Sequence, residues 1–126
     1  MDIKEIKIMI EEQYVSIATA KLAKEKGFTG IMCNRCYGND GQYYSFNVDN
    51  IGDEYLGIAA PTQSLLARWL RDKHHLFVTA GFCLVWRHVI IPITDKISCN
   101  YETSKETYSS YEEAIEAGLQ EALKLI

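Results

Sequence analysis

Two cysteines separated by two residues are the first candidates for chemistry in this chain. Cys33 and Cys36 have the spacing of a redox pair or of half a zinc site. A redox pair usually lies at a helix N-terminus, but the glycine-rich residues 37–41 follow directly and break a helix. Zinc needs two further ligands, and the other cysteines and histidines form no convincing second pair. Because Cys33 and Cys36 would point to opposite faces of a strand, we predict no metal and no cofactor, with a zinc half-site at these two residues as the alternative.

A basic stripe on a predicted helix is the second candidate. Arg68, Arg71 and His75 share one helical face with Ser64. The opposite face is apolar and should belong to the core; it holds Leu65, Leu66, Trp69 and Leu70. Such a stripe could bind an anion, a phosphate or an acidic partner, although most stripes of this kind are solvated faces. We keep Arg68, Arg71 and His75 as candidate binding residues.

Tyrosines form a third feature, because four of them lie near a predicted hairpin: Tyr37, Tyr43, Tyr44 and Tyr55. Tyrosine is favoured both in strands and at interfaces, so the cluster hints at a binding face. We add Tyr43 and Tyr44 to the candidate binding residues.

Catalytic signatures are missing from the sequence. It contains no phosphate-binding loop, no dinucleotide-binding glycine motif, no His-Glu-x-x-His and no Gly-x-Ser-x-Gly. We therefore name no catalytic residue, and the sequence favours a protein that is not an enzyme.

Local signals predict the first elements that would position these residues. Ser16 should cap a helix that runs to Lys26, and Gly27 and Phe28 fit a Schellman ending. Residues 2–13 fit a helix or a strand, and we prefer the helix.

A hairpin and a second helix are predicted next. Residues 31–37 and 42–48 flank a turn rich in Gly and Asn, which is typical of a β-hairpin. Thr62, which follows Pro61, should cap a helix that reaches about His74.

Two further strands are predicted at residues 76–79 and 82–91, with a turn at Ala80-Gly81. Residues 83–86 are apolar on both faces, which favours a central strand that is covered on both sides. Residues 97–101 could add another strand.

The last helix has the clearest signals. Ser110 and Glu113 form a capping box, in which each side chain bonds to the other residue's amide. Gly118 lies within an apolar arc, and close approach to a sheet would account for a glycine there. The other members of the arc are Ala114, Ile115, Leu119, Ala122, Leu123, Leu125 and Ile126. We predict that this helix is integral to the fold.

Length and composition place these elements in one domain. A chain of 126 residues with 48% hydrophobic residues can bury a core without disulfides, and no linker divides it. We predict a single domain over residues 1–126 of the α+β class, a mainly antiparallel sheet with two or three helices packed against it.

Charge and targeting signals limit the classes of function. The 13 Lys and Arg against 17 Asp and Glu give a net charge of −4, which disfavours nucleic-acid binding. The N-terminus lacks the features of a signal peptide, and the longest apolar stretch is too short to cross a membrane. The four cysteines then suit a reducing cytoplasm.

Three segments carry a resemblance to a known group of proteins: residues 15–28, 60–71 and 111–123. In this order they resemble small, uncharacterised phage and prophage proteins from gut-type anaerobic bacteria. The resemblance implies a mobile-element origin and the cytoplasm of a bacterial host, and it implies no activity.

We therefore expect a non-enzymatic interaction module that acts through a protein partner or through self-association. The alternative is a protein that binds a small molecule or anion between the tyrosine-rich hairpin and the helix of Arg68 and Arg71.

Overall fold

The computed structural model of the chain describes residues 12–29, 33, 35–38, 43–45, 58–94 and 101–126, and of residues 43–45 only the backbone. The predictions for residues 2–11 and 97–100 lie outside this part, and residues 12–13, the end of the segment predicted as a helix, are not helical. In the described part, three helices and six strands form an α+β fold, as predicted. They are α1 (Ile17–Glu25), β1 (Arg35–Tyr37), β2 (Tyr43–Ser45), β3 (Ile58–Ala59), α2 (Gln63–His74), β4 (Leu76–Cys83), β5 (Val85–Pro92), β6 (Glu102–Thr103) and α3 (Tyr111–Lys124).

The described strands form two antiparallel sheets, each with three strands. One has the order β2-β1-β3 and the other β4-β5-β6. The antiparallel pairing of β1 with β2 confirms the predicted hairpin at residues 35–37 and 43–45. Cys33 lies outside β1, and the remaining residues of the two predicted strands lie outside the described part. Of the strand expected at residues 97–101 only Tyr101 is described, and it lies outside any strand; β6 begins at the next residue, Glu102.

Helix α1 has the predicted caps at both ends. The Ser16 hydroxyl accepts a hydrogen bond from the Thr19 amide. At the other end Gly27 has a φ of 102°, and the Phe28 amide donates to the Ala23 carbonyl at 3.0 Å. These are the bonds of a Schellman motif, in which only glycine enters the left-handed region without strain. Phe28 then packs edge-on against Trp69 of α2, at 5.4 Å between ring centres.

Helix α2 also follows its sequence signals. The Thr62 hydroxyl accepts from the Leu65 amide at 3.1 Å, and the helix ends at His74 as predicted. Of the predicted apolar face, Leu66 and Leu70 are fully buried, while Leu65 and Trp69 are half-buried.

The β4–β5 hairpin corrects two predictions. The chain turns at Leu84, between the paired residues Cys83 and Val85, and not at Ala80-Gly81. Residues 83–86 are therefore the exposed end of a hairpin and not a central strand that is covered on both sides. Register explains the difference, because a turn at Ala80-Gly81 would pair Val78 with Cys83. The observed turn pairs Val78 with Ile90, and both side chains are buried.

Helix α3 packs on this hairpin as the sequence predicts. Ala114, Ile115, Gly118, Leu119, Ala122 and Leu123 are buried. A Cβ atom at Gly118 would lie 2.9 Å from the Cβ atom of His88 in β5 and 3.0 Å from Val78 Cγ1 in β4. The close approach of helix and sheet therefore excludes a side chain here. Leu125, predicted in the apolar arc, is exposed, whereas the following residue Ile126 is partly buried against the core.

The capping box of α3 differs from the prediction in one bond. The Ser110 hydroxyl accepts from the Glu113 amide at 3.1 Å, as expected. The Glu113 carboxylate returns to Ser109 and not to Ser110, with bonds from the Ser109 hydroxyl and amide. These two bonds, that of the hydroxyl first, lower the pKa of Glu113.

Within the described residues, no helix combines the length and the apolar character that a membrane span requires.

Candidate functional site

The basic stripe lies on the exposed face of α2, as predicted, but it has a neighbour that the prediction omitted. Arg68, Arg71 and His75 are all exposed. Asp72 lies between the two arginines, with one carboxylate oxygen 3.4 Å from Arg68 Nε and the other 3.6 Å from Arg71 Nε. The carboxylate offsets part of the positive potential that an anion would need. An anion site at the stripe stays a prediction, with less electrostatic support than the three basic residues alone would provide.

The tyrosine-rich hairpin is described only in part. Tyr43 and Tyr44 lie on β2, where they pair with Tyr37 and Cys36, but their side chains are outside the described part. The Tyr37 side chain is buried, and its hydroxyl donates to the Val15 carbonyl at 2.7 Å. Tyr37 therefore has a structural role, and the binding role of Tyr43 and Tyr44 stays a prediction.

The cysteine pair lies in a protected setting. Cys33 and Cys36 are both buried, and burial raises the pKa of Cys33 to about 11 and also raises that of Cys36. A thiol must lose its proton to bind zinc or to attack a disulfide, so burial works against both reactions. In the ranges that the structure describes, no three His, Cys, Asp or Glu residues are grouped to hold a metal ion.

A polar network joins the three helices, and we call it the helix junction: Ser16, Thr19, Gln63, Glu116 and Gln120. One carboxylate oxygen of Glu116 accepts from the Ser16 amide at 3.0 Å, from the Ser16 hydroxyl at 3.0 Å and from the Thr19 hydroxyl. Its other oxygen accepts from the Gln63 side-chain amide at 3.0 Å. Gln120 completes the network by donating to the Thr19 hydroxyl oxygen at 2.9 Å.

The helix junction places a carboxylate at the N-terminus of α1. That end of a helix carries unpaired amides and a partial positive charge, which favour a negative group. Glu116 lies on α3, so it serves a helix that begins 100 residues earlier in the chain. The sequence alone gives no signal for this role, because Glu116 and Ser16 are far apart in the chain. Because both carboxylate oxygens already accept hydrogen bonds, the geometry is that of a structural clamp and not of a general base.

His88 is a second buried polar residue, and its side chain lies beneath Gly118 of α3. It is 6% exposed, and its Nδ1 atom has no hydrogen-bond partner within the described residues. Burial lowers the pKa of His88, against the opposing effect of Glu121, Glu106 and Glu102. The ring is therefore held neutral at physiological pH. A neutral ring that is covered by helix and sheet has no access to a substrate.

The end of the β4–β5 hairpin, in contrast to the buried His88, exposes apolar side chains to solvent. We call residues 82–85 the hairpin tip. Phe82 is 63% exposed, Leu84 92% and Val85 37%, and Cys83 is exposed as well. Large apolar side chains that are grouped in solvent mark a binding surface more often than a polar face does. The sequence analysis missed this surface because it assigned residues 83–86 to a covered strand.

The hairpin tip is held in place by aromatic contacts and by a cation. Trp86 lies 5.0 Å from Phe82 and 5.7 Å from Tyr111, the first residue of α3, between ring centres. On the other face of the hairpin, Arg87 Nη1 donates to the carbonyls of Ser104 and Lys105 at 2.9 and 3.0 Å. The tip therefore projects from a supported base.

A shallow cavity of about 210 Å³ lies at the tip. Its lining is mostly apolar and comprises Gly81, Phe82, Cys83, Val85, Arg87, Val89 and Thr103. Pockets for small molecules usually measure about 300–1,000 Å³, so this cavity suits a single side chain better than a ligand.

Comparison with protein-family models, with curated proteins and with solved structures finds no significant match to this chain.

Proposed function

We propose that this protein is a non-enzymatic interaction module that binds another polypeptide through the hairpin tip. The observation that carries the proposal is the exposure of Phe82, Leu84 and Val85 at the end of a supported hairpin. Burying these side chains against a partner would remove apolar surface from water, which is the main driving force of association. The cavity beside them gives that partner a place for one anchoring side chain.

The setting of this function is proposed from the sequence. The resemblance to small phage and prophage proteins supports a mobile-element origin, and with it the cytoplasm of a bacterial host. The negative net charge supports a protein partner over a nucleic acid.

Site-specific photo-crosslinking in bacterial cells tests the proposal, because it captures a partner whose identity is not yet established. A photo-reactive amino acid is placed at Leu84, and a matched control carries it at Leu125, which is also an exposed leucine at 57%. We expect polypeptide adducts from position 84 at several-fold higher yield than from position 125. Equal yields at the two positions, or no adduct from position 84, would overturn the proposal.

A further inference from the structure

The segment that leads from β5 to α3 is described from residue 101 onward, and we call residues 102–110 the strap. It begins with β6, on the side of β5 away from β4, and it ends at the cap of α3. Of its side chains only Ser104 is buried, and most of the others are exposed. Because the strap buries so little surface, it can separate from the sheet at a lower free energy than the core helices can.

Beyond β6 itself, residues 86–88 of β5 hold the strap. The Ser104 amide donates to the His88 carbonyl at 3.0 Å, and the His88 amide donates to the Ser104 hydroxyl at 3.1 Å. Arg87 Nη1 donates to the Ser104 carbonyl at 2.9 Å. The Tyr108 amide donates to the Trp86 carbonyl at 2.9 Å. His88 therefore lies at the centre of the bonds that anchor the strap.

The His88 side chain lies between the strap and α3 and is 6% exposed. The Tyr108 ring of the strap is 6.0 Å from it between ring centres, and a Cβ atom at Gly118 of α3 would lie 3.3 Å from His88 Cγ. The Nδ1 atom has no hydrogen-bond partner within the described residues. A buried polar atom without a partner is costly, so water that reaches this ring favours an open strap.

Titratable groups face this ring from the elements around it. Glu121 belongs to α3, whereas Glu106, Glu102 and Tyr108 belong to the strap. Beside the ring β4 contributes none, because its residues 78–81 are Val, Thr, Ala and Gly. Burial disfavours the charged imidazole and lowers its pKa, and the carboxylates oppose this shift, Glu121 most. A ring that reaches water near these carboxylates accepts a proton more readily than the buried ring does.

We propose that protonation of His88 opens the strap, which makes residues 102–110 a pH-sensitive switch beside the hairpin. The neutral ring fits between the strap and Gly118, but an imidazolium has to bring its charge to water or to the carboxylates. Movement of the strap achieves this while Leu119 and Leu123 of α3 stay buried. Because the open form binds the proton more readily, acid favours opening. The switch does not depend on the proposed binding at the hairpin tip.

Hydrogen–deuterium exchange of the full chain, measured for single amides by NMR, tests the inference at about pH 7.5 and 5.5. After correction for the intrinsic exchange rate, the Ser104 and Tyr108 amides should be about tenfold less protected at the lower pH. One proton on a group with an ordinary pKa of about 6.5 shifts an opening equilibrium by that factor. The Phe28 amide, which bonds to Ala23 at the end of α1, reports a local opening far from His88 and should not change.

Two variants assign the response to its group. His88→Gln removes the titrating ring, so the protection of the strap amides should become independent of pH in this range. Glu106→Gln is the matched control, because it removes a carboxylate of the strap and keeps the histidine; it should retain the tenfold response. In the wild-type chain, the ring resonances of His88 should titrate at the same pH as the backbone resonances of residues 104–108, which tests the inference even if His88→Gln does not fold.

Four results would overturn the inference. The first is strap protection that does not change with pH, and the second is the same change in His88→Gln as in the wild type. The third is strap protection equal to that of the Leu119 amide, because exchange would then require unfolding of the core. The fourth is a ring that gains its proton while the amides of the strap keep their protection and their chemical shifts.

Discussion

The helix junction and the hairpin tip differ in the kind of side chain that each one exposes to water. At the junction, five polar residues from three helices are hydrogen-bonded to one another, with Thr19 and Gln63 buried and the others partly buried, and Glu116 alone accepts four hydrogen bonds. At the tip, apolar residues of one hairpin are exposed to solvent, and Leu84 has a strained, left-handed backbone conformation. Polar groups are costly to bury unless they are paired, and apolar groups are costly to expose. The contrast assigns stability to the junction and its neighbouring core, and the tip is the surface to which we assign the proposed binding.

The largest expected effect tests the core beneath the junction. Leu119 is fully buried in α3, so Leu119→Ala should lower the free energy of unfolding by about 2–5 kcal/mol through lost burial and a cavity. The exposed Leu125 is the control, and Leu125→Ala should change it by less than about 0.5 kcal/mol. Urea denaturation measures both. If Leu119→Ala and Leu125→Ala had equally small effects, α3 would not be packed against the sheet, and the contrast between a buried core and an exposed tip would not hold.

The junction itself is tested by the carboxylate that unites it. Glu116→Ala leaves the Ser16 amide and the Gln63 side chain without their acceptor, so we expect a loss of about 2–3 kcal/mol. Glu121→Ala, at an exposed position of the same helix, removes a surface pair with Lys124 and should cost about 0.2–1 kcal/mol at a pH where His88 is neutral. A loss at Glu116 no larger than that at Glu121 would show that the junction does not stabilise the fold.

Two glycines test how tightly each region is packed, Gly118 in α3 and Gly81 near the hairpin tip. Gly118→Ala adds a Cβ atom 2.9 Å from that of His88, so it should cost about 1–3 kcal/mol although alanine favours a helix by about 1 kcal/mol. Gly118→Leu should cost more. Gly81→Ala adds its Cβ atom in open space near the tip and should be nearly neutral. Thermal melting measures all three, and a Gly118→Ala variant as stable as the wild type would refute the close approach.

The buried imidazole of His88 predicts a pH dependence. Because burial lowers the pKa of His88 in the folded state, the unfolded chain binds a proton more readily below about pH 6.5. The free energy of unfolding should therefore fall as the pH falls from about 7.5 to 5, a window above most carboxylate titration. His88→Gln should flatten this slope. An unchanged slope in His88→Gln would assign the dependence to other groups.

The smallest expected effect on stability is at the tip. Leu84→Asn removes a side chain that the fold does not bury and relieves left-handed strain, so the free energy of unfolding should stay the same or rise by up to about 1 kcal/mol. Chemical denaturation at concentrations where the chain is monomeric measures this change. A loss of more than about 1 kcal/mol would show that Leu84 stabilises its own chain and would weaken its assignment to a partner.

Local features of the fold were predictable from the sequence alone. The caps at Ser16, Thr62 and Ser110 and the Schellman ending at Gly27 depend on residues within about one helical turn, so the sequence specifies them directly. The apolar arc of α3 and the close approach at Gly118 follow from helical periodicity for the same reason.

Only the tertiary structure decided which distant residues meet. The Glu116 carboxylate reaches Ser16 across 100 positions, and no local pattern encodes such a partner. The turn at Leu84 was also not predictable from turn preferences, because burial of Val78 and Ile90 against α3 fixes the register and places the turn where the paired strands end. The same register carries residues 82–85 beyond the reach of the helix and into solvent. An apolar segment that a sequence assigns to the core thus becomes the candidate binding surface, because burial depends on the whole fold and not on the residue type.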